Sequence, residues 1–137
     1  EQEFTGSYLY QISRNRQTSI KSFIMNASIV VGVGNIYANE SLFISGISPK
    51  RMAKNISKNG YIVLSQSIKK ILQNSIKQGG TSLRDFSFTY QDKKVGYFKQ
   101  SLFVYDRENK QCKHCDGTIK RIIQLGRSTF YCVQCQH

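Results

Sequence analysis

The chain has 137 residues, and its 20 Lys and Arg against eight Asp and Glu give a formal charge of +12 at pH 7 and a pI near 9.8. That length suits one domain or two small ones, and an apolar share of 39% fills only a modest core. No apolar run approaches the roughly 18 residues of a spanning helix, so a membrane partner is not expected; a cationic surplus of this size points instead to a polyanion, nucleic acid first.

Glu1-Gln2-Glu3-Phe4, with no Met before it, reads as the interior of a longer protein. From about Thr5 to Asn15, Tyr8, Leu9 and Ile12 recur at helical spacing behind Thr5 as N-cap, which predicts a short amphipathic helix. The basic bridge Arg14-Asn15-Arg16 leads to Thr18 or Ser19 as the cap of a second helix, whose buried face is Phe23, Ile24 and Met25. Two glycines, Gly32 and Gly34, then break the pattern. A third helix over residues 35–45 turns Ile36, Ala38, Leu42 and Phe43 inward and stops at Gly46.

Gly-x-Gly-Asn ahead of a helix has three readings. A dinucleotide fingerprint fits poorly, because the third glycine and the downstream acid are missing. A plain tight turn between packed helices is the simplest. The third is a phosphate seat, in which the bare backbone of Gly34 allows close approach, the helix start offers N–H groups and the Asn35 amide donates. The basic charge adds weight to that last reading.

Pro49, the one proline, reads as the first-turn residue of a short helix over residues 50–55 with Ser48 as cap. A long helix follows from Asn59 or Gly60 to about Gln78, with Ile62, Leu64, Ile68, Ile71, Leu72 and Ile76 toward the core and Lys69, Lys70 and Lys77 on a solvated face. Gly79-Gly80 ends it. Residues 81–100 form a long aromatic-rich loop, and loops of that length inside compact domains are often functional. Leu102 and Val104, with Ile119, Ile122, Thr129 and Tyr131, suggest short strands, two of them a hairpin turning near residues 124–127 with Arg127 at its tip.

All four cysteines fall in two C-x-x-C pairs, Cys112 with Cys115 and Cys132 with Cys135, sixteen residues apart. This is the spacing of a four-thiolate zinc site, closed and tetrahedral, with a structural rather than a catalytic role. Two disulfides are the competing use of the same residues; a chain without a secretory leader that can build its own core does not call for them.

Taken together, Thr18 to Lys21, the run Val30 to Phe43 around Gly32-Val33-Gly34-Asn35, the stretch Gly79 to Phe86, and Gly126-Arg127-Ser128-Thr129-Phe130-Tyr131-Cys132 resemble the C-terminal half of bacterial formamidopyrimidine-DNA glycosylases. Endonuclease VIII shares the architecture, but the residues from Arg127 to Cys132 and Gly96-Tyr97-Phe98 lie closer to the formamidopyrimidine branch. The resemblance implies a mainly α fold with a small β zinc finger: a helix-two-turn-helix bundle over residues 1–100, with a lesion-covering loop at about 81–100, then a zinc-bound hairpin over residues 101–137. It implies excision of oxidised purines, such as 8-oxoguanine and formamidopyrimidines, and strand cleavage by β- and δ-elimination from a Schiff base on an N-terminal proline that is absent here.

Residue by residue, the resemblance makes Asn35 and Lys21 phosphate contacts beside Gly34. Arg127 becomes the finger arginine, with a role in δ-elimination, and the four cysteines ligate one structural Zn2+. The partner is double-stranded DNA with an oxidised or abasic lesion, bound by a monomer in the bacterial cytoplasm at the nucleoid. Residues 86–96 are longer than usual for the family, Val95 stands where Pro is common, and Gln17 replaces a frequent basic residue. A non-enzymatic zinc-ribbon module for DNA or RNA is the alternative from another class.

Overall fold

A computed structural model describes residues 5–30, 32–77 and 102–137, with the side chains of residues 74–77 excepted. The expected lesion-covering loop and the Gly79-Gly80 helix stop lie outside the described residues. Helix α1 spans Gly6–Ser13, α2 Ile20–Met25, α3 Asn35–Ser45 and α4 Lys58–Lys77, with a single 3-10 turn at Ala53–Asn55; strands β1, Ile119–Gln124, and β2, Arg127–Cys132, form an antiparallel hairpin.

Local chemistry sets most of these boundaries. Thr5 Oγ1 accepts from the Tyr8 N–H at 3.1 Å and Ser19 Oγ from the Ser22 N–H at 3.2 Å, so each side chain satisfies one of the donors a helix start leaves over. Ser57 does the same for Gly60 at 3.0 Å, which starts α4 slightly earlier than its sequence pattern suggests. Gly46 closes α3 in the left-handed region, its N–H donating to the Leu42 and Phe43 carbonyls.

Helix α3 lies at the centre, between α4, α2 and β2. It is buried almost all round: Tyr37, Asn39, Glu40 and Ser41 join the expected Ala38, Leu42 and Phe43, while Ile36 is half-buried. On α4, Leu64 and Ile68 face inward as their spacing predicts, but the largest fully buried side chain is Tyr61, which the apolar pattern left out. Its hydroxyl donates to the Ala53 carbonyl at 2.7 Å, the partner a buried phenol requires. Helices α1 and α4 approach so closely that a Cβ on Gly6 would lie 2.5 Å from the Ile62 Cα.

Two expected elements do not form. Pro49 opens no helix; Met52 is extended, and residues 51–53 pair with the strand-like lead into α2, through Ile20 N–H to Arg51 O at 2.7 Å and Ala53 N–H to Thr18 O at 2.8 Å. The backbone needed to satisfy residues 18–20 is thereby withdrawn from a helix. Leu102 and Val104 are buried but lie in irregular backbone leading into a turn, not in strands. Three successive N–H groups, of Phe103, Val104 and Tyr105, point at the single carboxylate of Glu40, at 2.7, 2.9 and 2.9 Å. A strand would aim alternate N–H groups in opposite directions, so this convergence demands a turn.

Candidate nucleic-acid interface and metal centre

The four sulfurs, Cys112, Cys115, Cys132 and Cys135, lie within 4.8 Å of one another, all as free thiols. Sulfurs about 2.3 Å from a tetrahedral zinc stand about 3.8 Å apart, and the Cys112–Cys135 and Cys115–Cys132 separations are 3.9 and 3.5 Å. Backbone N–H groups of His114 and Gly117 donate to the Cys112 and Cys115 sulfurs, as suits thiolates carrying negative charge. Burial, then the crowding of the other thiols, pushes Cys135 up to about 12. A divalent cation at the centre reverses that preference and takes the sulfurs as thiolates. The donor set and its spacing therefore fit one structural zinc.

The hairpin carried by this site meets α2 and the start of α3 at one point, the Ser128 carbonyl. Lys21 Nζ donates to it at 3.0 Å and Asn35 Nδ2 at 3.1 Å, from residues 107 and 93 positions away. Lys21 also donates to Thr129 Oγ1 at 2.6 Å, the Thr129 hydroxyl donates to Gln124 Oε1 at 2.9 Å, and Gln124 Nε2 donates to the Pro49 carbonyl at 3.1 Å. This relay gives Pro49 its place in the fold: an anchor for the hairpin.

Lys21 is 2% exposed, yet among the described residues its partners are neutral oxygens, with no carboxylate to match its charge. Burial, then repulsion from Arg127, lowers its pKa from 10.5 to about 8. The Arg127 side chain is exposed, and among the described residues its guanidinium has no hydrogen-bond or ion-pair partner. Helix α3 starts at Gly34 without a side-chain cap. Two cations, an amide with a second N–H to offer and an uncapped helix start thus meet, an arrangement that suits an anion.

The tip of the hairpin differs from expectation. Leu125 and Gly126 occupy it, both at positive φ, 49° and 78°, while Arg127 is the first residue of β2, paired with Gln124. Two positive φ values in a two-residue connection match a type I′ turn, whose first position favours Asn, Asp or Gly. Leucine there costs about 1–2 kcal/mol of backbone strain.

Polar residues that sequence reasoning missed hold the finger on the helices. Besides Glu40, Asn39 Oδ1 accepts from the Phe130 N–H at 2.7 Å, and Gln136 accepts from the Cys132 N–H at 2.8 Å while donating to the Ile47 carbonyl at 3.0 Å. Glu40 had a detectable signal: with Ile36 and Phe43 it forms an i, i+4, i+7 stripe, an acid on an otherwise apolar face. Burial raises its carboxyl above the ordinary range even though the three N–H groups oppose the rise.

Comparison with known proteins agrees with this architecture. Residues 1–87 match the family model described as formamidopyrimidine-DNA glycosylase H2TH domain, and residues 109–137 the model described as zinc finger found in FPG and IleRS. A formamidopyrimidine-DNA glycosylase of Ruthia magnifica subsp. Calyptogena magnifica is 55% identical over 136 residues, 99% of this chain and 50% of that protein, and one from Acidithiobacillus ferrooxidans is 53% identical over 133 residues, covering 97% and 48%. The Lactococcus lactis Fpg structure, bound non-covalently to DNA containing an AP site, superposes with a TM-score of 0.83 at 28% identity, covering 99% of this chain and 47% of that one. A MutM structure in complex with DNA containing carbocyclic 8-oxo-G gives 0.82 at 30%, covering 98% and 47%. The chain spans about half the length of the curated relatives it matches. With one family model covering most of the helical region and a second the zinc finger that docks on it, the chain belongs to the formamidopyrimidine-DNA glycosylase family.

Proposed function

We propose that these residues are the DNA-binding half of a glycosylase and AP lyase that removes oxidised purines, and that they act as a monomer in the bacterial cytoplasm, at the nucleoid. The observation that carries this reading is the buried Lys21, matched by no carboxylate among the described residues and set beside Asn35 and the unpartnered Arg127. A buried cation without an opposing charge is costly unless an anion completes the site, and a DNA phosphate supplies one. Gly34 and Asn35 present the helix start to that phosphate, and Arg127 holds the one beside the lesion and assists δ-elimination. One domain, residues 1–100, carries the helix-two-turn-helix, and residues 101–137 the finger.

Schiff-base chemistry needs a free amine as nucleophile. The amine the family resemblance assigns to this step is that of an N-terminal proline, and the only proline among these 137 residues, Pro49, has its nitrogen within the peptide backbone; these residues on their own are therefore expected to bind lesion DNA without excising a base. A competition gel with abasic-analogue and intact duplexes, followed by borohydride trapping, tests both halves of this. Preference for the abasic analogue over any particular sequence, with no trapped adduct, is expected. Sequence-selective binding would favour a non-enzymatic zinc-ribbon module, and a trapped adduct would overturn the assignment of the nucleophile to another part of the protein.

A further inference from the structure

The tip of the hairpin breaks two local preferences at one residue. Leu125 is 85% exposed, the most exposed of the large apolar side chains among the described residues, and it holds a positive φ that Asn, Asp or Gly would adopt more readily. A position that is both strained and wastefully apolar is a candidate for binding, since neither feature helps the fold. Leu125 also lines a depression of about 220 Å³ between the hairpin tip and α2, together with Lys21, Met25, Asn26, Gln124 and Arg127. Lys21 and Arg127 give its lining positive charge, and Met25 and Leu125 give it apolar surface.

We infer that Leu125 is a DNA-contacting residue, and that the depression it lines takes a deoxyribose of the strand whose phosphate lies on Lys21 and Arg127. A nucleotide backbone joins an anionic phosphate to a largely apolar sugar face, and the lining offers a complement to each: the cations Lys21 and Arg127, and the apolar side chains of Met25 and Leu125. Occupancy by the sugar removes the Leu125 side chain from water, which offsets the strain of holding it at the tip. The inference rests on the DNA-binding reading above, because only a bound strand supplies the occupant.

The test uses the zinc-loaded 137-residue chain and an abasic-analogue duplex, comparing wild type with Leu125→Asn and Leu125→Met over a salt series. Asparagine suits the turn better, so Leu125→Asn raises Tm by a few degrees, yet it weakens duplex binding about fivefold or more. The slope of log K against log salt stays unchanged, because no phosphate contact is lost. Leu125→Met keeps an apolar side chain and binds within about twofold of wild type. Unchanged or tighter binding by Leu125→Asn overturns the inference while leaving the DNA-binding reading intact. Loss of self-association without loss of DNA affinity also overturns it, by giving Leu125 a second copy of the chain as its occupant. Failure of the wild type to bind duplex DNA overturns both readings.

Discussion

Among the described residues, fifteen buried apolar side chains form one cluster in the helical region, from Leu9 on α1 to Ile68 on α4. The finger's buried cluster has six members; Phe43 is lent by α3, and Cys112 and Cys132 are metal ligands. The helical region can therefore order itself by burial, whereas the finger depends on zinc within and on polar clamps to α3 and the loop after it. What the finger lacks in core it recovers in placement: Glu40, Asn39 and Gln136 fix its backbone at separate points, so Arg127 stands at a set distance from Lys21 and Asn35. In this molecule apolar packing supplies the platform, and directional bonds decide where the finger sits on it.

Removing zinc should separate the two regions most completely. Structural zinc in finger peptides contributes apparent free energies of about 10–16 kcal/mol, far more than six buried residues can replace. Chelation is expected to abolish amide protection in β1 and β2 while helical circular dichroism persists, and to abolish DNA binding with the hairpin. Retention of hairpin protection in the metal-free chain would mean that the finger's own packing suffices.

Glu40→Ala should come next, since it removes the acceptor of three N–H groups. Each buried donor left unpaired costs about 1–3 kcal/mol, so a loss of at least about 3 kcal/mol is expected in denaturant unfolding, with exchange of residues 103–105 accelerated ahead of α4. Uniform acceleration across both regions would show that the clamp is not local to the finger.

Smaller effects are expected at the cations. Arg127 is exposed and makes no side-chain hydrogen bond or ion pair among the described residues, so Arg127→Ala should change stability by no more than about 0.5 kcal/mol, while the salt dependence of DNA binding becomes shallower by about one counterion. An unchanged slope would leave Arg127 as a solvated side chain. Lys21 makes two pH trends run in opposite directions. Its pKa is about 8 in the fold and 10.5 when exposed, so between those values the unfolded chain binds more protons and stability rises with pH. A bound phosphate favours the protonated amine, so DNA affinity falls as pH climbs through about 8. Urea midpoints and binding constants at pH 7, 8 and 9 check both trends, and Lys21→Met should flatten them.

Much of this could be read along the chain. Thr5, Ser19 and Gly46 mark helix ends because capping is local, and the C-x-x-C pairs declare a metal site because two sulfurs on a tight turn need only short spacing. The readings that failed involve residues claimed by distant partners. Pro49 looked like a helix opener, but the residues after it pair with Thr18 and Ile20. Leu102 and Val104 looked like a strand, but the backbone beside them is gathered by Glu40. Tyr61 escaped notice because a phenol is ambiguous on a helical wheel until an acceptor such as the Ala53 carbonyl is in place.

By itself, then, the sequence determined the four helices, the zinc ligands, the family and the basic charge, all of which follow from spacing, capping and composition. Tertiary structure alone decided that Lys21 and Asn35 donate to the same Ser128 carbonyl, that Arg127 stands beside them at the base of a turn, and that Leu125 holds the tip. The two bonds to Ser128 join residues 107 and 93 positions apart, and no local periodicity encodes them. They depend on where the zinc-held hairpin comes to rest on α3, and that is set by buried hydrogen bonds whose donors and acceptors are paired only when the chain is folded.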